Sequence, residues 1–257
     1  NSAIKVKNPD AFLMAEVYNP NEYRNYIRLG KMDYLYDKVE TYDHLKAVIQ
    51  GKTWPDGLTD IQHRMEDIEH HMLKFLDNHD EQRLASPEFA GTPQKGKPLM
   101  VVSATLSSAP TMIYFGQEVG EAGNENAGFG THSRTSIFDY IGVPNHQRWM
   151  NGGKFDGGQL SQDEKDLRDF YKRLLNFSIS SSALMGNFQE IQTANRNITQ
   201  GYDIAIYAYT RWSETQKLIV VTNFYSLASS SFELRIPADI IQKWNLKDGT
   251  YTITDQL

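Results

Sequence analysis

Short apolar runs alternate with amphipathic stretches through the first two thirds of the chain. Ala11 to Ala15 is a continuous apolar run that ends at Glu16, with Asn19-Pro20 just beyond. Its length and its turn residues favour a buried strand over a helix. Residues 21–29 can form a short helix stopped by Gly30, and Met32 to Tyr36 is a second strand ending at Asp37. Glu40 to Ile49 is helical, with Leu45, Val48 and Ile49 on one side and Gly51 as the stop. Thr59 to His71 carries Ile61, Met65 and Ile68 at helical spacing. Leu73 to Leu76 is a third strand, Lys97 to Leu106 the next helix, and Met112 to Phe115 a fourth strand. Regular alternation of this kind predicts a parallel sheet or barrel with helices outside.

The pattern then changes twice. Residues 116–158 are rich in Gly and Asn and read as a long loop, a length that usually carries function. Ser161 to Phe177 is an amphipathic helix, with Ser161 and Glu164 spaced for a capping box and Leu167, Phe170, Tyr171, Leu174 and Leu175 on one face. Beyond about Leu184 come apolar or alternating runs at residues 204–209, 218–221, 232–236 and 251–253, separated by turn residues. These predict an antiparallel β-domain. The division falls at 1–182, an α/β unit, and 183–257, an all-β unit.

Composition narrows the class. The chain has 257 residues, 40% hydrophobic and 12% aromatic, enough for a sizeable core. A net charge of −6 argues against a nucleic-acid binder, which carries a basic face. Cysteine is absent, which excludes disulfides, a thiol nucleophile and zinc-thiolate sites. Ser103, Ser107, Ser108 and Pro110 interrupt the longest apolar region, so no membrane span is expected. Residues 1–10 show no apolar leader core. The compartment stays open, with an extracytoplasmic or periplasmic setting as the working expectation.

The chemistry concentrates at Phe75-Leu76-Asp77-Asn78-His79-Asp80, where an apolar strand ends in two acids, an amide and an imidazole. In parallel barrels catalytic groups sit at such strand ends. This stretch, with Arg83 after it, resembles the Asn-His-Asp strand-end motif of the α-amylase family, glycoside hydrolase family 13. Ala15-Glu16-Val17-Tyr18 resembles that family's acid/base strand, and Met112 to Glu118 its last barrel strand. The resemblance implies the second half of a (β/α)8 TIM barrel, from strand five onward, followed by a C-terminal antiparallel β-sandwich. It implies retaining hydrolysis of α-1,4-glucosidic bonds in starch, maltooligosaccharides or cyclodextrins. Glu16 would be the general acid/base and Asp80 the second carboxylate that orients sugar hydroxyls and supports the oxocarbenium-like transition state. His79, Tyr18, Asn78 and Arg83 would bind substrate. Phe129, Phe138, Tyr140 and Trp149 in the long loop would offer ring faces to sugars.

One departure from the family pattern matters. The nucleophilic aspartate of the family lies on strand four in a Gly-x-Arg-x-Asp stretch, and no such stretch occurs here. Four βα units also cannot close an eight-stranded barrel. The expectation is therefore a portion of a larger hydrolase, inactive alone, partnered by a missing N-terminal barrel half or by self-association. No cofactor is expected in these residues; calcium is expected only in an intact parent, with ligands elsewhere. An α-glucan is the expected ligand. The alternative is a non-catalytic, amylase-like glycan-binding or scaffold protein. A helical metal phosphohydrolase built on His63, His70, His71, His79 and Asp80 is disfavoured, because His79-Asp80 follows a strand.

Overall fold

After a short helix α1 (Ser2–Lys7), four strands pair in parallel in chain order: β1 (Met14–Ala15), β2 (Tyr34–Tyr36), β3 (Met72–Phe75) and β4 (Thr111–Met112). The computed structural model describes residues 1–123, 135, 142–225 and 229–257. Parallel neighbours need a crossover between them. Helix α2 (Tyr23–Arg28) connects β1 to β2, α3 (Asp43–Ile49) and α4 (Gly57–Met65) connect β2 to β3, and α5 (Lys97–Thr105) connects β3 to β4. The register pairs Met14 with Tyr34, Leu35 with Met72 and Lys74 with Thr111. This is the alternation that the apolar runs predict, in an open four-stranded sheet.

The strands are shorter than the runs. At the start of β1 the Asp33 carboxylate takes the Leu13 amide at 2.8 Å, and the Leu13 carbonyl accepts from the Asp33 and Tyr34 amides. A side chain thus stands in for one rung of the ladder. The charged helix ends at Met65 rather than running to His71, where a separate 3-10 turn spans Glu69–His71.

The span 116–158 is not all loop: helix α6 (Pro144–Met150) and 3-10 turns over Gln117–Val119 and Asn151–Gly153 lie within it, and α7 (Gln162–Ser180) is the longest helix among the described residues. The predicted capping box forms: the Glu164 amide donates to Ser161 Oγ at 3.3 Å, and the Ser161 amide donates to Glu164 Oε2 at 2.8 Å. Leu167, Phe170, Tyr171 and Leu174 are its buried positions.

The C-terminal part bears out the expected antiparallel sheet, while a second sheet of a sandwich is not seen among the described residues. Among the described residues it is one antiparallel sheet of β5 (Asn187–Glu190), β6 (Ile206–Trp212) and β7 (Lys217–Asn223), with short helices α8 (Gln192–Asn195) and α9 (Ala238–Lys243). Phe232 to Ile236 does not join it. Its side chains alternate between the core and solvent as a strand's would, but its backbone pairs with a side chain. Asn195 Nδ2 donates to the Arg235 carbonyl at 2.9 Å, and Asn195 Oδ1 accepts from the Arg235 amide at 2.8 Å. Tyr251 to Ile253 is exposed and outside any strand, with the Tyr251 hydroxyl turned back onto the Lys247 backbone.

Burial links the two sheets. Tyr207, Tyr209 and Phe224 belong to the same apolar cluster as Leu58, Leu73, Leu99 and Leu174. The Tyr209 hydroxyl meets Thr105 Oγ1 at 2.5 Å and the Tyr207 hydroxyl meets Thr59 Oγ1 at 3.1 Å. Arg211 is 1% exposed; its guanidinium donates to the Leu106 carbonyl at 2.7 Å and to the Leu184 carbonyl.

Lys74, which interrupts the apolar run of β3, does not turn to solvent. It is 2% exposed and its ammonium pairs with Asp37, itself 1% exposed at the end of β2. Asp37 also accepts from the Thr41 amide at 2.9 Å and the Thr41 hydroxyl at 2.6 Å, closing a wide π-type turn over Lys38–Tyr42. Removing one partner of such a pair leaves a buried charge with no counter-charge, which is costlier than removing both. Asp37→Ala is expected to lower unfolding free energy by about 3–5 kcal/mol. The double variant Asp37→Leu/Lys74→Met is expected to lose less than Asp37→Ala alone. Urea denaturation followed by circular dichroism gives both values.

Candidate active site

Glu16 follows the last residue of β1, and Asp77 to Asp80 follow β3, with β2 between them. In a parallel sheet all these strand ends open on the same side. The Glu16 carboxylate, the His79 ring and the Asp80 carboxylate each place one ligating atom within 4.8 Å of the other two. His79 Nε2 lies 3.3 Å from Asp80 Oδ2. All three side chains reach solvent to some degree, as groups that meet a ligand must. Tyr18 is half-exposed and its hydroxyl donates to Glu16 Oε1. Burial, then the charges of Glu16 and Asp80, push the Tyr18 phenol above its ordinary pKa. Tyr36, at the end of β2, is buried: burial first, then the charges of Glu16 and Asp80, raise its phenol too.

The other two expected ligand contacts lie elsewhere. Asn78 is 1% exposed, and its Oδ1 accepts from the Asp80 amide at 2.9 Å and the Glu81 amide at 2.8 Å. It shapes the turn that presents His79 and Asp80, rather than meeting solvent. Arg83 is fully buried, so its guanidinium faces protein and not the opening. Its Nη1 lies 3.3 Å from Asp77 Oδ2 and donates to the Phe115 carbonyl at 2.8 Å, while Nε donates to Thr135 Oγ1 at 2.6 Å. Its plane packs on the rings of Tyr114 and Phe115, with centroids at 4.5 and 5.1 Å.

Sequence reasoning passed over Tyr36 and Glu81. Glu81 gathers the Tyr42 hydroxyl at 3.1 Å and the Lys38 ammonium at 3.2 Å on the flank of Asp80. Tyr36 is level with Glu16 in the sheet, each following one residue of the Ala15–Leu35 pair, a register that one dimension does not show. Of the loop aromatics, Trp149 packs at a tilt against His146 at 5.5 Å and edge-on against Phe155 at 5.8 Å, whereas Phe129, Phe138 and Tyr140 lie outside the described residues. His70 and His71 precede β3, at the opposite end of that strand from His79. Among the described residues, the one group able to hold a metal ion is Glu16, His79 and Asp80, an oxygen-nitrogen-oxygen set suited to a divalent cation.

Asp77 is the strongly perturbed carboxyl. Burial raises it to about 6, against the opposing pull of Arg83 and the Leu84 amide; nearby Glu121 adds to the rise. The folded state therefore holds this proton more tightly than the unfolded chain. Its contribution to stability is complete below about pH 3.8 and is lost as pH rises to about 6. Asp77→Asn keeps the neutral shape and has no proton to lose. Its stability cost relative to wild type is expected to be largest near pH 4 and to shrink by on the order of 3 kcal/mol by pH 7. Parallel urea titrations of both proteins across that range measure the difference.

The sequence profile of the alpha amylase catalytic domain matches residues 1–207. No curated protein matches the chain. Among solved structures, the gamma-CGTase of alkalophilic Bacillus clarkii superposes with a TM-score of 0.61 at 16% identity, covering 88% of this chain and 29% of that one. The alpha-amylase of H. orenii gives 0.60 at 18% identity over 87% of this chain and 45% of its own. The cyclic alpha-maltosyl-(1→6)-maltose hydrolase of Arthrobacter globiformis gives 0.57 at 16% over 86% and 44%. These likenesses concern the fold, and the chain spans less than half the length of each. The profile match over most of the chain settles its kinship: it belongs to the alpha-amylase family, glycoside hydrolase family 13.

Proposed function

We propose that this chain supplies the acid/base half of a retaining α-glucosidic active site, acting on α-1,4-linked glucans. The carrying observation is the convergence of Glu16, His79 and Asp80, from two non-adjacent strands, to within 4.8 Å. Glycoside hydrolysis needs a carboxyl that gives a proton to the leaving oxygen and later takes one from water. Glu16 fills that role. Asp80 and His79 hold the sugar hydroxyls and offset positive charge on the ring as the bond breaks. Tyr18 orients the Glu16 carboxyl through its hydroxyl. The covalent step needs a carboxylate nucleophile about 5 Å from the acid. In this reading that group comes from the strand-four aspartate of the family, outside these residues. The structural neighbours, a gamma-CGTase, an alpha-amylase and a cyclic alpha-maltosyl-(1→6)-maltose hydrolase, support the ligand class by their names.

The test uses the protein in which this chain and the nucleophile strand occur together. Glu16→Gln is expected to lower kcat on maltooligosaccharides by roughly 10²–10⁴-fold while KM changes little. Asp80→Asn is expected to lower kcat as well and to raise KM, because its carboxylate also holds the ground-state sugar. Reducing-end release measures both. Near-normal release from Glu16→Gln would sink the acid/base assignment.

A further inference from the structure

Asn151 and Gly152 form the one Asn-Gly pair in the sequence, at the C-terminal end of α6. In such a pair the glycine backbone nitrogen can attack the asparagine side-chain carbonyl carbon, because glycine has no Cβ to hinder the approach and rotates freely. Here the glycine is exposed, with φ of 65°, and a Cβ built on it would meet nothing within 4 Å. Gly153 follows with φ of 92° and the same open surroundings. Asn151 itself stands in the left-handed region, at φ 47° and ψ 51°, which a non-glycine residue seldom adopts. Bringing the two reacting atoms together takes a rotation about its ψ bond, past the end of α6.

The Asn151 side chain is also a latch. Its Nδ2 donates to Asp156 Oδ1 at 2.7 Å, and the same oxygen accepts the Gly158 amide at 2.9 Å. Gly158 lies so near that a Cβ on it would collide with Asn151 Nδ2. The Phe155 amide reaches back to the Met150 carbonyl at 2.9 Å, and the Gly157 amide to the Trp149 carbonyl at 3.0 Å. Residues 151–158 are thus folded back on the end of α6, with the Asn151 amide as a donor at the centre. The hydrogen bond from Asn151 first, then the Gly158 amide, hold the Asp156 carboxyl below its ordinary pKa, so the latch has a charged acceptor.

We propose that Asn151 is a site of spontaneous deamidation and that its product releases this loop. The Gly152 nitrogen bonds to Asn151 Cγ and gives up its proton; the bond from Cγ to the side-chain nitrogen breaks and ammonia leaves with that proton, giving a cyclic imide. Water then adds to either imide carbonyl and opens the ring, to an aspartate or to an isoaspartate whose main chain runs through Cγ. Both products lose the amide donor and gain a negative charge beside Asp156, where like charges repel.

Incubation of the folded chain at mildly alkaline pH, followed by peptide mapping, tests the chemistry. Trypsin cuts after Arg148 and Lys154, and the fragment 149–154 contains a single amide side chain. This fragment is expected to gain the mass of an amide-to-acid exchange, in two chromatographic forms, before any other asparagine converts. Asn151→Gln is expected to abolish the gain. Faster conversion at another asparagine, or none at residue 151, overturns the site. Brief trypsin treatment of the native chain tests the latch, through the cut after the exposed Lys154. Aged protein and Asn151→Asp, each checked for native circular dichroism, are expected to be cut there several-fold faster than fresh wild type. Cutting at the wild-type rate in either overturns the latch.

Discussion

The buried pair of Asp77 and Arg83 is the joint on which the upper side of the parallel sheet depends. Both side chains are fully excluded from water. The aspartate closes β3 by accepting the Leu84 amide at 2.5 Å, which folds residues 77–84 into a loop whose turn puts His79 and Asp80 on the outside. The guanidinium reaches the Phe115 carbonyl and Thr135, tying β3's loop to the segment after β4. An arginine can do this where a lysine cannot, because its planar fork serves several acceptors at fixed angles and its face packs on rings. Burial opposes the charge on Asp77 and Arg83 favours it, and the raised carboxyl shows that burial prevails. The attraction of Arg83 and the hydrogen bonds of the joint therefore offset the desolvation of Asp77 only in part.

A second buried pair, Lys74 with Asp37, ties β3 to β2 inside the sheet layer. The two pairs act on the same strand, one within it and one beyond its end. With β3 fixed at both points, the site needs little from its own side chains. Glu16 arrives from β1, on the far side of β2, and meets Asp80 because three parallel strands end on one side.

Much of this was legible in the sequence, and what was missed has physical reasons. Apolar runs separated by helical spacing gave the strand order, and Ser161 with Glu164 gave the start of α7. Asn-His-Asp after an apolar strand located the cluster. The role of Lys74 was not legible, because its partner Asp37 lies 37 residues earlier and nothing local in the apolar run points to it. Asn78 and Arg83 looked like ligand contacts because polar residues near a motif do so in one dimension; burial sends them inward. Phe232 to Ile236 carried a clean period of two and still formed no strand. Periodicity reports which side chains are buried, and a strand needs a backbone partner as well. Asn195 took that partner's place.

The pattern change near residue 182 divides two kinds of secondary structure, yet the largest apolar cluster runs straight across it. Tyr207 and Tyr209 contribute to that cluster with ring and hydroxyl alike, and Arg211 donates to the Leu106 carbonyl on the far side and to the Leu184 and Gly186 carbonyls on its own. A terminal sheet fastened in this way is not an exchangeable module. Grafting the β5–β7 sheet onto another barrel, or replacing it with a relative's, would mean redesigning the surfaces of α4 and α5 along with it. Variation in this lineage should therefore run through both regions in step, with changes at Thr59 and Thr105 accompanied by changes at the two tyrosines that they hold.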